Sequence, residues 1–191
     1  MSQRYLDEIR KRLWPNETGR DIYALLDGAR DRRIYGHIVD SYLDSTCLYS
    51  GPLSPELEVV APYLVELEYD DRLTRRIVED GWGCSWGIYL KSATSLKRLR
   101  RHLREFLLVA GPSGQRLVFR YYDPRVLRIY LPTCTAGELR TVFGPIETFW
   151  MESEDAASLL EFRLEGGKLV QTAVRLGAGT EFPAAGKRPL V

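Results

Sequence analysis

The chain has 191 residues, and 27 Lys and Arg against 26 Asp and Glu leave a net charge of +1. That length suits one domain with a buried core, and the near-neutral balance argues against a dedicated nucleic-acid binder, which carries a strong positive excess. Cys47, Cys84 and Cys134 are odd in number and far apart, a pattern that supports neither a zinc site nor a disulfide framework and points to a reducing compartment. No apolar run approaches the ~20 residues of a membrane span. The first eight residues place charges where a signal peptide needs its apolar stretch. A cytoplasmic protein is expected.

Tyr5, Leu6, Ile9 and Leu13 form a helical stripe that stops at Trp14-Pro15, so a helix over 3–14 opens the chain. Residues 22–26 are almost wholly apolar, as in a strand buried on both faces, and Gly28 supplies the turn. Ile34, Tyr35, Ile38 and Tyr42 fall at helical spacing and predict a helix over 31–43. Short strands are expected at 46–49 and 63–67, with Pro52, Pro55 and Pro62 confining regular structure between them. Leu73, Ile77 and Val78 predict a short helix ending at Gly81, and 86–90 reads as a strand.

Leu96, Leu99 and Leu103 form one face of the next helix, while Lys97, Arg98, Arg100, Arg101 and Arg104 cover the others. Residues 106–109 read as a last helical turn or a strand; the Gly111-Pro112-Ser113-Gly114 turn favours a hairpin with 117–122. Thr135 and Glu138 make a capping-box pattern, and Gly144-Pro145 ends that helix. A strand is expected over 146–151. From Glu152 the character changes: 159–165 and 168–175 alternate around Gly166-Gly167, a hairpin by its turn residues. Beyond Leu176 the chain is rich in Gly, Ala and Pro and is expected to lack fixed secondary structure. The pattern predicts an α/β fold: a layered single domain with a mixed sheet flanked by helices, plus a C-terminal β-hairpin appendage. Its divisions are an N-terminal helix at 1–19, a main domain at 20–151, and a hairpin with a flexible tail at 152–191.

The segment Arg120-Tyr121-Tyr122-Asp123-Pro124-Arg125 carries the most information. It reads as a strand that breaks into a helix, with Pro124 at the first helical position and Asp123 as its cap. Two arginines and a carboxylate at such a break suit a buried ion pair. Asp27 is also expected at a strand end, where sites of α/β sheets gather. Three readings follow: a structural corner in which Arg120 or Arg125 pairs with a carboxylate, an enzymatic carboxylate pair, or a partner contact.

Other candidates carry less. His37 and His102 lack ligand spacing, Cys84 has no motif partner for nucleophilic catalysis, and no metal site or cofactor is expected. The basic helix 97–104 admits a solvated face, an acidic partner surface or weak nucleic-acid binding, and the acidic stretch 152–165 offers it intramolecular pairing. Trp82, Trp86 and Trp150, expected near turns or strand ends, join Leu159, Phe162 and Leu164 as candidate partner-binding residues.

Several strings follow one another along the chain: Tyr23-Ala24-Leu25-Leu26-Asp27-Gly28-Ala29, Leu48-Tyr49-Ser50-Gly51, Ala61-Pro62-Tyr63-Leu64-Val65, Arg120 to Leu127, Leu131-Pro132, and Phe143-Gly144-Pro145-Ile146. In this order the array resembles the DUF4123 family, the adaptor (chaperone) proteins of bacterial type VI secretion, over roughly residues 20–150. The resemblance implies a cytoplasmic, non-enzymatic protein that binds an effector toxin and helps load it onto the VgrG spike, with no nucleic-acid or membrane partner. Within these strings Asp27, Arg120, Tyr122, Asp123, Pro124, Arg125, Gly144 and Pro145 are expected to form a structural motif. The residues alone leave two alternatives: a small hydrolase or transferase using Asp27 and Asp123, or a nucleic-acid module using the basic helix.

Overall fold

The computed structural model describes residues 3–15 and 21–177. Among them, a seven-stranded sheet is packed with helices on both faces, and a separate two-stranded sheet stands beside it. The sheet runs β2-β3-β1-β4-β7-β8-β9, where β1 is Ile22–Asp27, β2 Ser45–Cys47, β3 Pro62–Glu66, β4 Gly87–Lys91, β7 Thr148–Glu152, β8 Ser158–Glu165 and β9 Lys168–Arg175. The small sheet pairs β5 (Leu108–Ala110) with β6 (Arg116–Val118).

The layered α/β domain is as expected, but every strand pairing is antiparallel instead of mixed. The apolar run of β1 reports burial on both faces, and that follows from its central place between two helix layers, whatever the direction of its neighbours. Ile22, Ala24 and Leu26 point to one core, with α1 (Gln3–Leu13), α2 (Arg32–Val39) and α4 (Arg72–Gly81). Tyr23 and Leu25 point to the other, with α5 (Leu96–Arg104), α6 (Pro124–Tyr130) and α7 (Ala136–Phe143). The alternation is the period of two that any strand imposes.

Local signals account for most boundaries. Asp31, Asp71 and Asp123 cap their helices by accepting a backbone N–H, and both halves of the Thr135–Glu138 capping box are present. Ser95 makes no side-chain cap. Instead the Ser92 hydroxyl donates to the Pro145 carbonyl at 2.8 Å and accepts from the Thr94 amide at 3.3 Å. A helix, α3 (Pro55–Val60), lies within the bounds that the prolines set, capped by Ser54 with Pro55 in its first turn. Two expectations fail. The helix begun at Arg32 ends at Val39, leaving Tyr42 fully exposed. The strand expected over 117–122 stops at Val118, because Tyr121 and Tyr122 turn inward to the core.

The C-terminal hairpin is not an appendage. β8 pairs with β7 along its length and β9 extends the same sheet. Phe162 sits opposite Phe149, and both are buried. The tail beyond Gly177 and the link at 16–20 lie outside the described residues. Among the described residues, no helix is long and apolar enough to cross a membrane.

Candidate functional site

Asp27 at the end of β1 and Glu152 at the end of β7 lie at one end of the sheet, on either side of β4, and Asp123 caps α6; all three carboxylates are buried. Asp27 closes β1. Its amide donates to the Trp86 carbonyl at 2.8 Å, its carbonyl accepts from the Arg30 amide, and its Oδ1 accepts from the Ala29 amide at 3.2 Å. The Arg120 guanidinium donates to its Oδ2. Gly28 follows because a Cβ there would lie 2.6 Å from the Ala61 carbonyl oxygen and 2.7 Å from that of Val59. Gly28→Ala therefore pushes α3 off the turn, and a loss of about 1–3 kcal/mol is expected in urea unfolding.

Asp123 serves a different arginine. Its Oδ1 accepts from the Arg125 amide at 2.9 Å, and the Arg125 side chain grips both carboxylate oxygens at 2.5–3.1 Å. The structure thus resolves the pairing that the sequence left open: Arg120 holds Asp27, and Arg125 holds Asp123. Tyr122 is buried beside Tyr49 and Asp27, and burial pushes its phenol well up. Pro124 opens α6, and Pro145 supplies the carbonyl for Ser92. Gly144 caps α7 at φ 47°, with the His102 ring where a Cβ would sit.

Electrostatics divide the two aspartates. Burial pushes the Asp27 carboxyl above the usual range, against the pull of Arg120 and the Ala29 amide, and Asp123 nearby adds to the rise. For Asp123, burial is outweighed by the Arg125 side chain and amide, so its carboxyl is held below the usual range. A depressed folded pKa means that Asp123 stabilises the fold above the ordinary aspartate value of ~3.9 and loses that contribution as pH falls through the folded value. Asp27 has the opposite sign, because the folded state holds its proton more tightly and ionisation on raising the pH costs stability. Asp123→Asn keeps a competent cap but loses the ion pair, so its melting temperature should fall less than that of the native protein below about pH 4. Asp123→Ala loses both, at about 1–2 kcal/mol in urea, mostly through the cap, since Arg125 is half exposed and solvent screens its pair.

Glu152 is the member that the sequence reading missed. Its Oε2 accepts from the Gly83 amide at 2.5 Å, and its Oε1 from the Ser85 amide and hydroxyl, both at 3.0 Å. Gly83 and Ser85 both have positive φ, at 80° and 55°, which turns their N–H groups toward one anion, as in a backbone nest. Burial raises the Glu152 carboxyl above its ordinary range, and the three donors oppose that rise. The signal was the Gly83-Cys84-Ser85 turn and a carboxylate ending an apolar strand. The acidic stretch 152–165 does not pair with the basic helix: Glu161 accepts from the Trp150 indole at 2.9 Å and pairs with Arg163, as does Glu165.

The proposed contact residues fare poorly. Trp82, Trp86, Trp150, Leu159 and Phe162 are buried and Leu164 packs against the second core, so they form the interior and not a docking face. The Trp82 indole and the Tyr5 hydroxyl both donate to the Ala156 carbonyl, tying the β7–β8 turn to α1 and α4. Arg10, also unanticipated, is buried and donates to the Tyr69 carbonyl and to Asp70. On α5, Arg100 donates to the Cys47 and Tyr49 carbonyls, whereas Lys97, Arg98, Arg101 and Arg104 stand exposed.

A cavity of about 10 Å³ lies beside Glu152, lined by Leu26, Ile77, Trp82, Trp86 and Tyr89 among others; neither Asp27 nor Asp123 lines it. It has room for about one water. Among the described residues, no three of His, Cys, Asp and Glu converge to hold a metal ion. The family model described as "Domain of unknown function (DUF4123)" matches residues 22–141, from β1 into α7. No curated protein matches the chain, and no solved structure matches it.

Proposed function

The chain belongs to the DUF4123 family, and from that premise we propose that it is a cytoplasmic adaptor, or chaperone, that binds a type VI secretion effector toxin and promotes its loading onto the VgrG spike. Its work is recognition and not turnover, and its partners are proteins, neither nucleic acid nor membrane. One observation carries the reading. The charged corner is occupied by its own arginines and backbone amides, while four of the nine large apolar side chains exposed among the described residues lie together on the β5–β6 hairpin. A surface of that kind suits a protein partner.

The alternative of a hydrolase or transferase using Asp27 and Asp123 needs a concave pocket that presents both carboxylates to a substrate. Both are nearly inaccessible, and each is held by a different arginine. Purified protein is expected to be inert towards peptide, lipid, peptidoglycan and nucleotide substrates. The experiment is co-expression with the products of the adjacent genes, singly and together, followed by affinity purification and gel filtration. A stable complex with a toxin and a ternary complex with the spike are expected. An activity that disappears in Asp27→Asn, with the fold intact, would overturn the reading.

A further inference from the structure

The β5–β6 hairpin gathers four exposed large apolar side chains, Leu108, Val109, Leu117 and Val118, on two paired strands. All six strand residues are exposed. Leu108 faces Val118 across the pair and Val109 faces Leu117, so each face of the ribbon carries one large apolar pair. Their exposures are 51%, 47%, 40% and 43%. A two-stranded ribbon solvated on both faces is marginal by itself. Its root is fixed, because Phe106 and Phe119 stack edge-on or tilted against Tyr121 at 6.1 and 5.9 Å, and Phe119 also meets Tyr130 at 4.9 Å.

Both edges of the ribbon are open. The Phe119 amide bonds the Leu107 carbonyl at 3.0 Å, and the Gly111 amide bonds the Gln115 carbonyl at 2.7 Å. Bonded pairs alternate along an antiparallel ladder, so the peptide groups of Leu108 and Ala110 on one strand, and of Arg116 and Val118 on the other, point outward.

Charge is as uneven as polarity here. Over 92–119 the chain has six cations and one carboxylate, Glu105, although its overall charge is only +1. Arg100 is spent on two carbonyls. Lys97, Arg101 and Arg104 follow one another at helical spacing toward the hairpin. No carboxylate among the described residues lies within ion-pair distance of Lys97, Arg98, Arg101, Arg104 or Arg116.

Resting on the adaptor reading, we propose that this hairpin is where the effector is gripped. The bound segment is an extended stretch of the effector that adds a strand to a free edge, alternates apolar side chains against the ribbon, and carries acidic residues that meet the α5 cations. The open amides and apolar pairs favour a protein strand over nucleic acid, since a phosphate backbone offers neither a ladder partner nor apolar surface.

The test uses full-length protein and the purified toxin from the adjacent gene. Leu108→Glu/Leu117→Glu and, separately, Arg101→Glu/Arg104→Glu should each weaken binding at least tenfold, with circular dichroism and melting temperature unchanged. Amides 108, 110, 116 and 118 of the native protein should exchange hydrogen more slowly in the complex, which reads the same edges without any substitution. Binding by both variants within twofold of the native protein, or no added protection at either edge, overturns the hairpin assignment and leaves the adaptor reading standing. A homodimer of the free protein that both Glu substitutions dissociate, or competition by a 20-nucleotide single strand, also overturns it. Failure of the native protein to bind toxin removes the adaptor reading, and this proposal with it.

Discussion

Replacing Arg120 with Ala is expected to lower the unfolding free energy by about 2–3 kcal/mol. The guanidinium is the cationic partner of Asp27, whose side chain is 1% exposed. Removing one member of a buried pair leaves the other charge without compensation, at ~3–5 kcal/mol when both are fully buried. Arg120 itself is 42% exposed, so solvent already screens part of the interaction and the figure belongs below that range. The double variant Arg120→Ala/Asp27→Asn removes both charges while keeping an acceptor for the Ala29 amide. It should recover part of the loss, so that the two effects are far from additive. Urea unfolding of the four proteins measures the coupling. An Arg120→Ala midpoint equal to that of the native protein would mean that the pair contributes nothing.

Truncation after Met151 is expected to leave an unfolded chain. It removes Glu152, which anchors the Gly83–Ser85 loop, and both strands of the β8–β9 hairpin. Phe162 and Leu159, fully buried on that hairpin, belong to opposite cores, so both helix layers lose packing at once. The milder Phe162→Ala should cost about 3–5 kcal/mol, as large aromatic deletions in cores do. Circular dichroism and urea titration check both. A truncated chain with native helix content and a cooperative transition would restore the hairpin to the status of an appendage.

What was legible in the sequence follows from which interactions are local. Caps and turns announce themselves within a few residues, so Asp123-Pro124, the Thr135–Glu138 box and the Gly166-Gly167 hairpin are found where they were expected. The corner's composition was readable from Asp27, Arg120, Asp123 and Arg125. Its pairing was not, because Asp27 and Arg120 are joined only by tertiary packing. Glu152 went unseen for the same reason, since its donors lie almost seventy residues away. The pattern of 159–165 marked a strand but not that both of its faces are covered. Leu159 and Phe162 therefore looked available for a partner, when in fact each is buried in a different core. The hairpin of 108–118 was expected as structure, and only its exposure in the fold marks it as a surface. Sequence periodicity identifies an apolar side chain, and tertiary structure decides whether it is free.

The most direct test of the account is a calorimetric titration of the adjacent-gene toxin into the purified native protein and into Asp123→Ala, at a temperature where both are folded. The account predicts saturable binding to the native protein with a Kd of about 1 µM or tighter. It predicts the same Kd within twofold for Asp123→Ala, because the corner holds the fold and does not touch the partner. No binding to the native protein at ~100 µM toxin, or binding abolished in a fully folded Asp123→Ala, would contradict it.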